Sequence, residues 1–173
     1  MITTRQCIAV TALLLSLPWM SARAASPLDT VPEKMPFDIP YGAPISLELA
    51  RQAINAAAAE ARSHHWKLNI AVVDSGGNLV AFERMDGAQL ASIAISEHKA
   101  RAAATFRRET KIFENAIQVG GNTYVTTLDG IIASRGGIPL LQEGKLIGAI
   151  GCSGGTGSQD EVACAAGATS LNH

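Results

Sequence analysis

Glycine punctuates Gly136–Gly157, GGIPLLQEGKLIGAIGCSGGTG, at positions that leave the backbone few choices. The stretch reads as a β-hairpin running into a glycine-rich loop. Pro139 marks a strand start or a sheet edge, because proline cannot donate to a ladder. Glu143-Gly144 is the turn, where glycine supplies the positive φ of a tight hairpin. Lys145 to Cys152 is the return strand, and its small residues Gly148, Ala149 and Gly151 imply that another backbone or a ligand comes close. A helix follows, with Ser158 predicted as N-cap and Glu161 closing a capping box. The two acids Asp160 and Glu161 then sit at the helix's positive end.

The chain has 173 residues and opens with a secretory pattern. Arg5 gives a positive start, Cys7 to Leu17 is a short apolar run, and Ala22-Arg23-Ala24 is a small-x-small cleavage site. The run is too short to span a membrane, and no later stretch is long and apolar enough to do so. Residues 1–24 are therefore expected to be a signal peptide. The remainder is expected in the periplasm or secreted, and fits one domain. Residues 25–44 carry Pro27, Pro32, Pro36, Pro40 and Pro44 and read as an extended lead-in. Its second half, with alternating Met35, Phe37, Ile39 and Tyr41, is expected to lie along the domain or a neighbouring subunit.

Fourteen basic residues against fifteen acidic ones, well dispersed, argue against a nucleic-acid partner. After the leader is removed, Cys152 and Cys164 remain. They form either a disulfide, which an oxidising compartment permits, or two buried thiols.

Ser46 is expected to cap a first helix over Leu47–Ser63, with a stripe of Ala50, Ala53, Ile54, Ala57 and Ala61. His64 and His65 follow at the helix end. Either is a candidate iron ligand, and a favourable charge on the helix dipole is the plainer account. Leu68–Asp74, a Ser75-Gly76-Gly77-Asn78 turn and Leu79–Met85 make a hairpin. Leu90–Phe106 is predicted as a helix with Ser92, Ser96 and Lys99 on one face and Ala91, Ile95, His98 and Ala102 on the apolar one. The helical reading continues through Phe106–Val119. Tyr124–Leu128 is read as a short strand, and the last helix as Gln159–Leu171. Hairpins separated by helices favour an α+β domain with an antiparallel sheet.

Two motif readings fail locally. Gly151-Cys152-Ser153-Gly154-Gly155 matches G-x-S-x-G, but the helix starts too late and no general base is placed near. The glycine loop lacks the Lys-Ser/Thr of a phosphate-binding loop.

Several segments, taken in order, resemble the GlcG/HbpS family, also found in the C-terminal part of PduO-type proteins. They are AVVDSGGNLV from Ala71 to Val80, RMDGA from Arg84 to Ala88, Lys99-Ala100, Thr105-Phe106-Arg107-Arg108 with Thr110-Lys111, and GGIP from Gly136 to Pro139. Gly148-Ala149-Ile150-Gly151, Ser153-Gly154, Gln159-Asp160 and Ala166-Gly167 complete the match. It covers Ile45 to the C-terminus, so residues 45–173 are read as the domain. The resemblance implies a single-domain, profilin-like antiparallel sheet flanked by helices, a homo-oligomer, and in some members haem, free iron or corrinoid binding.

The expectation is thus an exported oligomeric binder of haem or a related tetrapyrrole. His64 or His65 would meet the iron. Arg84, Lys99 and Arg107 would meet propionates, and Gly137, Ser153 and Gly154 would rim the ligand. One alternative is an enzyme on a small oxygenated metabolite, with Lys99, Asp160 and Glu161 as acid or base. The other is a non-catalytic accessory oligomer.

Overall fold

The computed structural model describes residues 31–35 and 37–171. The expected signal peptide, residues 25–30 and Pro36 of the lead-in, and Asn172 and His173 lie outside the described residues. The element order is α1 (Leu47–Ser63), β1 (Asn69–Asp74), β2 (Leu79–Arg84), α2 (Ser92–Thr105), α3 (Lys111–Gln118), a 3₁₀ helix (Thr123–Thr127), β3 (Gly137–Gln142), β4 (Lys145–Ser153) and α4 (Gly157–Thr169). The four strands form one antiparallel sheet in the order β2-β1-β4-β3. This is the α+β architecture expected from paired hairpins.

The sheet is covered on both faces. Ile70 and Val72 of β1, with Ile150 and Cys152 of β4, meet the alanine stripe of α1 and Ala163 and Cys164 of α4. Their alternates Ala71, Val73 and Ala149 meet Ala100, Ala103 and Ala104 of α2. Ser46 caps α1 as expected, accepting from Leu49 N at 3.2 Å.

The glycines decide how α2 docks. Gly137 and Gly151 are cross-strand partners, and Gly151 also pairs with Ala71. A Cβ on Gly151 would strike the Ser96 carbonyl oxygen and the Ala100 nitrogen, and one on Gly137 would strike the Lys99 carbonyl. The α2 backbone therefore lies directly on the sheet. Small side chains pack beneath it, so the buried residues are Ser92, Ser96, Ala100, Ala102, Ala103 and Ala104, with Lys99 as the one long side chain among them. The face expected to be polar is therefore buried, whereas of the face expected to be apolar only Ala102 is buried, Ile95 and His98 being half-buried and Ala91 exposed. Gly151→Ala must lift α2 from β4, at a cost of about 1–3 kcal/mol. A urea midpoint shifted by that amount is expected, and an unshifted one would contradict the close approach.

Three other local readings change. The helix predicted through Val119 breaks after Thr105: Arg107 takes φ 54° and α3 restarts at Lys111. Tyr124–Leu128 is not a strand but lies over the 3₁₀ turn Thr123–Thr127, whose Thr126 and Thr127 hydroxyls donate back to the carbonyls of Thr123 and Tyr124. The α4 capping box is Thr156 with Gln159 rather than Ser158 with Glu161. The Glu143-Gly144 turn stands, with φ of 51° and 73°, and Pro139 lies on edge strand β3.

The second half of the lead-in is strapped onto the domain. Leu146 N donates to Pro40 O, Gly42 N to Leu146 O and Ile45 N to Ile147 O. Tyr41 Oη donates to Thr105 O at 3.1 Å, and Arg107 Nη1 to Ile39 O at 2.8 Å. This strap crosses the end of α2 and sets up the groove described next.

Candidate functional site

Lys99, a candidate acid–base and ligand-binding residue, is 1% exposed. Its Nζ donates to Asp160 Oδ2 at 2.8 Å and to Cys152 O at 3.1 Å. The Asp160 Oδ1 accepts from Gly155 N at 3.0 Å. Burial pushes the Asp160 carboxyl above its usual range, against the pull of the Lys99 ammonium and the Gly155 and Gly154 amides. Cys152 and Cys164 form a disulfide beside this pair, with Cα atoms 5.7 Å apart. Lys99 and Asp160 thus join α2, β4 and α4 from inside. Lys99 is correspondingly removed from the ligand-facing set. Glu161 does not join them, since it pairs with Lys111 at 2.7 Å and Arg135 at 3.3 Å. Arg135 also holds Glu114 at 2.7 Å, and its hydrogen bonds outweigh partial burial to keep the Glu114 carboxyl below its ordinary value. The three candidate catalytic groups therefore serve two separate ion-pair clusters.

Gly137 is also structural. Its N–H donates to Thr110 Oγ1 at 2.9 Å and its carbonyl accepts from Thr110 N at 3.0 Å. Arg84, Ser153, Gly154 and the two histidines gather at the opening end of β1. Asn69 faces Arg84 on one side and Ser153 on the other. Its Nδ2 donates to Gln89 O at 2.9 Å, while its buried Oδ1 has no partner among the described residues. Gly154 lies against Lys67 and Leu68 backbone, so a side chain has no room there. His64 stacks on Trp66 at 4.4 Å with Nε2 3.2 Å from Glu60, and His65 is exposed with φ 58°. Arg84 is exposed too. Among the described residues no group of three or more His, Cys, Asp or Glu is placed to hold a metal ion.

Arg107 sits at the other end of α2, beyond Thr105, where Arg101 donates to the Gly77 carbonyl past the far end of β1. It borders a groove of 440 Å³ lined by Phe37, Ile39, Arg107, Arg108, Glu109, Ile112, Ile138, Pro139 and Leu141. The guanidinium of Arg107 lies 5.3 Å from the Tyr41 ring centre. That of Arg108 lies 3.1 Å from Phe37 and 5.5 Å from Phe113. Neither arginine has a carboxylate partner among the described residues, whereas neighbouring Lys111 and Arg135 both do. In the sequence Arg108 stands with Arg107 and Lys111 in a basic run, read either as a solvated helix face or as a group to meet a carboxylate or propionate. Its signal was its place beside Arg107 at the end of an alanine-rich helix. The structure thus separates the expected iron ligands His64 and His65 from Arg107 by the length of α2.

This arrangement defines an antiparallel α+β domain with an apolar, cation-lined groove at one end. Residues 45–169 match the model of the family described as "Haem degrading protein HbpS-like", and the chain belongs to that family. GlcG of Escherichia coli K12 is 42% identical over 109 residues, covering 63% of this chain and 81% of that protein. A double mutant of Streptomyces reticuli HbpS superposes with a TM-score of 0.70 at 27% identity, covering 87% of this chain and 99% of that one. The PduOC–haem complex gives 0.67 at 25% identity, covering 75% and 96%. The expected family and fold are both met. Among the described residues, no helix is long and apolar enough to cross a membrane.

Proposed function

We propose that the protein is an exported, oligomeric binder of haem or a related tetrapyrrole, with the macrocycle held in the groove beside Arg107 and Arg108. The observation that carries this reading is the pairing of an apolar floor, Ile112, Ile138, Pro139 and Leu141, with two guanidiniums that lack carboxylate partners among the described residues. A flat apolar ring with anionic edge groups matches that surface, and charge-assisted hydrogen bonds fix its orientation. Haem, when bound, would supply a redox-active iron. The family match and the haem-bound relative support the choice of ligand. The disulfide supports export, because such bonds persist in oxidising compartments. Exposed Leu47 and Leu79 support self-association, Leu79 lying on the edge strand β2.

The groove contains no imidazole among its lining residues. His64 and His65 lie at the other end of α2, so they are not expected to set the spectrum of haem bound here. Titration of the purified protein with haemin should give a saturable Soret shift. Ile112→Glu places an anion on an exposed part of the groove and should weaken binding on the order of tenfold. His64→Ala and His65→Ala should leave the titration unchanged. Absence of a saturable shift in the wild-type protein would overturn the haem reading. A shift abolished by either histidine change, with Ile112→Glu silent, would move the site to the other end of the sheet.

A further inference from the structure

Building on the haem reading, we infer that Arg108 is a preformed carboxylate receptor that makes the groove select ligands bearing a free carboxylate on an apolar ring. The lead-in residue Phe37 forms part of that receptor.

The receptor arises from the break between α2 and α3. Arg107 adopts φ 54°, in the left-handed region that a side chain rarely occupies. Arg107 reaches the strap, donating to Ile39 O and lying over Tyr41. Arg108 goes to the rings of Phe37, Phe106 and Phe113. Its Nε donates to Phe106 O at 3.0 Å. Phe37 covers a face of the guanidinium, as cation–π geometry prefers. No hydrogen bond or salt bridge among the described residues uses Nη1 or Nη2. These are the groups with which arginine grips a carboxylate in a two-pronged fork.

The electrostatics point the same way. Burial, and then the neighbouring Arg107, lower the hold of Arg108 on its proton. The charge is thus partly stripped of water beside a like charge, with no neutralising group. The titratable groups on the groove wall are Arg107, Arg108 and Glu109. Glu109 is exposed and makes no ion pair among the described residues. An incoming carboxylate would supply the missing counter-charge while its apolar body covers Ile112, Ile138 and Leu141. Haem with free propionates has this chemistry. A ring whose side chains are all amides or esters does not.

The test compares haemin with its dimethyl ester, both added from dimethyl sulfoxide at sub-micromolar concentration, on the full chain. The metal-free pair, protoporphyrin IX and its dimethyl ester, is followed in parallel by fluorescence. Wild-type protein should favour the free acid on the order of ten- to hundredfold. Arg108→Gln should erase most of that preference while leaving ester binding nearly unchanged. Phe37→Ala, which removes the ring on the guanidinium, should reduce the preference in part. Arg108→Lys keeps a charge without the fork and should fall between; it also serves if the glutamine variant does not fold. Arg62→Gln, an exposed arginine paired with Glu83, is the control and should change nothing. Equal binding of acid and ester by wild type, or a preference that survives Arg108→Gln, overturns the receptor and leaves haem binding standing. Failure of wild type to bind either form overturns both.

Discussion

Lys99→Met should unfold at a free energy on the order of 3–5 kcal/mol below wild type, because it strands a buried carboxylate. Asp160 is 3% exposed, and without Lys99 it keeps only the Gly155 and Gly154 amides. The double variant Lys99→Met/Asp160→Leu should recover most of the loss, since removing both charges leaves neither unpaired. The sign of the pH effect follows from the direction of the Asp160 shift. Its folded-state pKa is raised above the usual 3.8, so the folded protein takes up that proton first. Stability carried by this group therefore rises as pH falls through the window between its folded pKa and 3.8. Taking away the ammonium removes the main influence opposing burial and widens that window. The deficit of the single variant should accordingly shrink on acidification. Urea denaturation at about pH 7 and about pH 5 checks both statements. A deficit under about 1 kcal/mol at the higher pH would show that the pair is not holding three elements together.

The hairpin, the turn at Glu143-Gly144 and the first helix were legible because each rests on local chemistry. Glycine at a positive-φ turn, serine at an N-cap and an alanine stripe need no distant partner to be recognised. The face of α2 was not legible by hydrophobicity alone. Ser92, Ser96 and Ala103 are buried because Gly137 and Gly151 bring the helix backbone down on the sheet. The matching signal was present in two places, small residues at three- and four-residue spacing in the helix and G-A-I-G in the strand, and it takes both to read it. The α4 cap was ambiguous in principle: Thr156 with Gln159 and Ser158 with Glu161 both fit the pattern, two residues apart. The loop backbone, held by Gly155 N on Asp160 Oδ1, favours the earlier one. The break at Arg107 carries no glycine or proline, so no local signal marks the end of the helix. That break is what turns Arg108 toward Phe37, and so the groove depended on the least legible part of the chain. Lys99 illustrates the converse. A lysine among alanines is usually a surface residue with a flexible stem, and only the long-range contact with Asp160 reveals its burial.

The Cys152→Ala/Cys164→Ala variant should lose about 3 kcal/mol on the chain-entropy account of closing a loop of this size. The two residues are separated by 12 positions and link the end of β4 to the middle of α4. Both cysteines are fully buried, so a reductant should reach the bond only when the domain opens. Thiol release from native protein should therefore keep pace with opening and be slow in the absence of denaturant. Immediate release under native conditions would contradict the burial. The bond and the ion pair are also coupled by geometry. Lys99 Nζ donates to the carbonyl of Cys152, and Asp160 stands one helical turn before Cys164. Freeing α4 from β4 lets the carboxylate drift from the ammonium, so the two losses should not add. A double-mutant cycle combining the cysteine pair with Lys99→Met should give a coupling of about 0.5–3 kcal/mol, with the combined loss below the sum of its parts. Strict additivity would mean that α4 is held against the sheet by packing alone. The apolar contacts of Ala163 and Cys164 with Ile150 and Leu140 would then fix Asp160 under Lys99 without help from the bond.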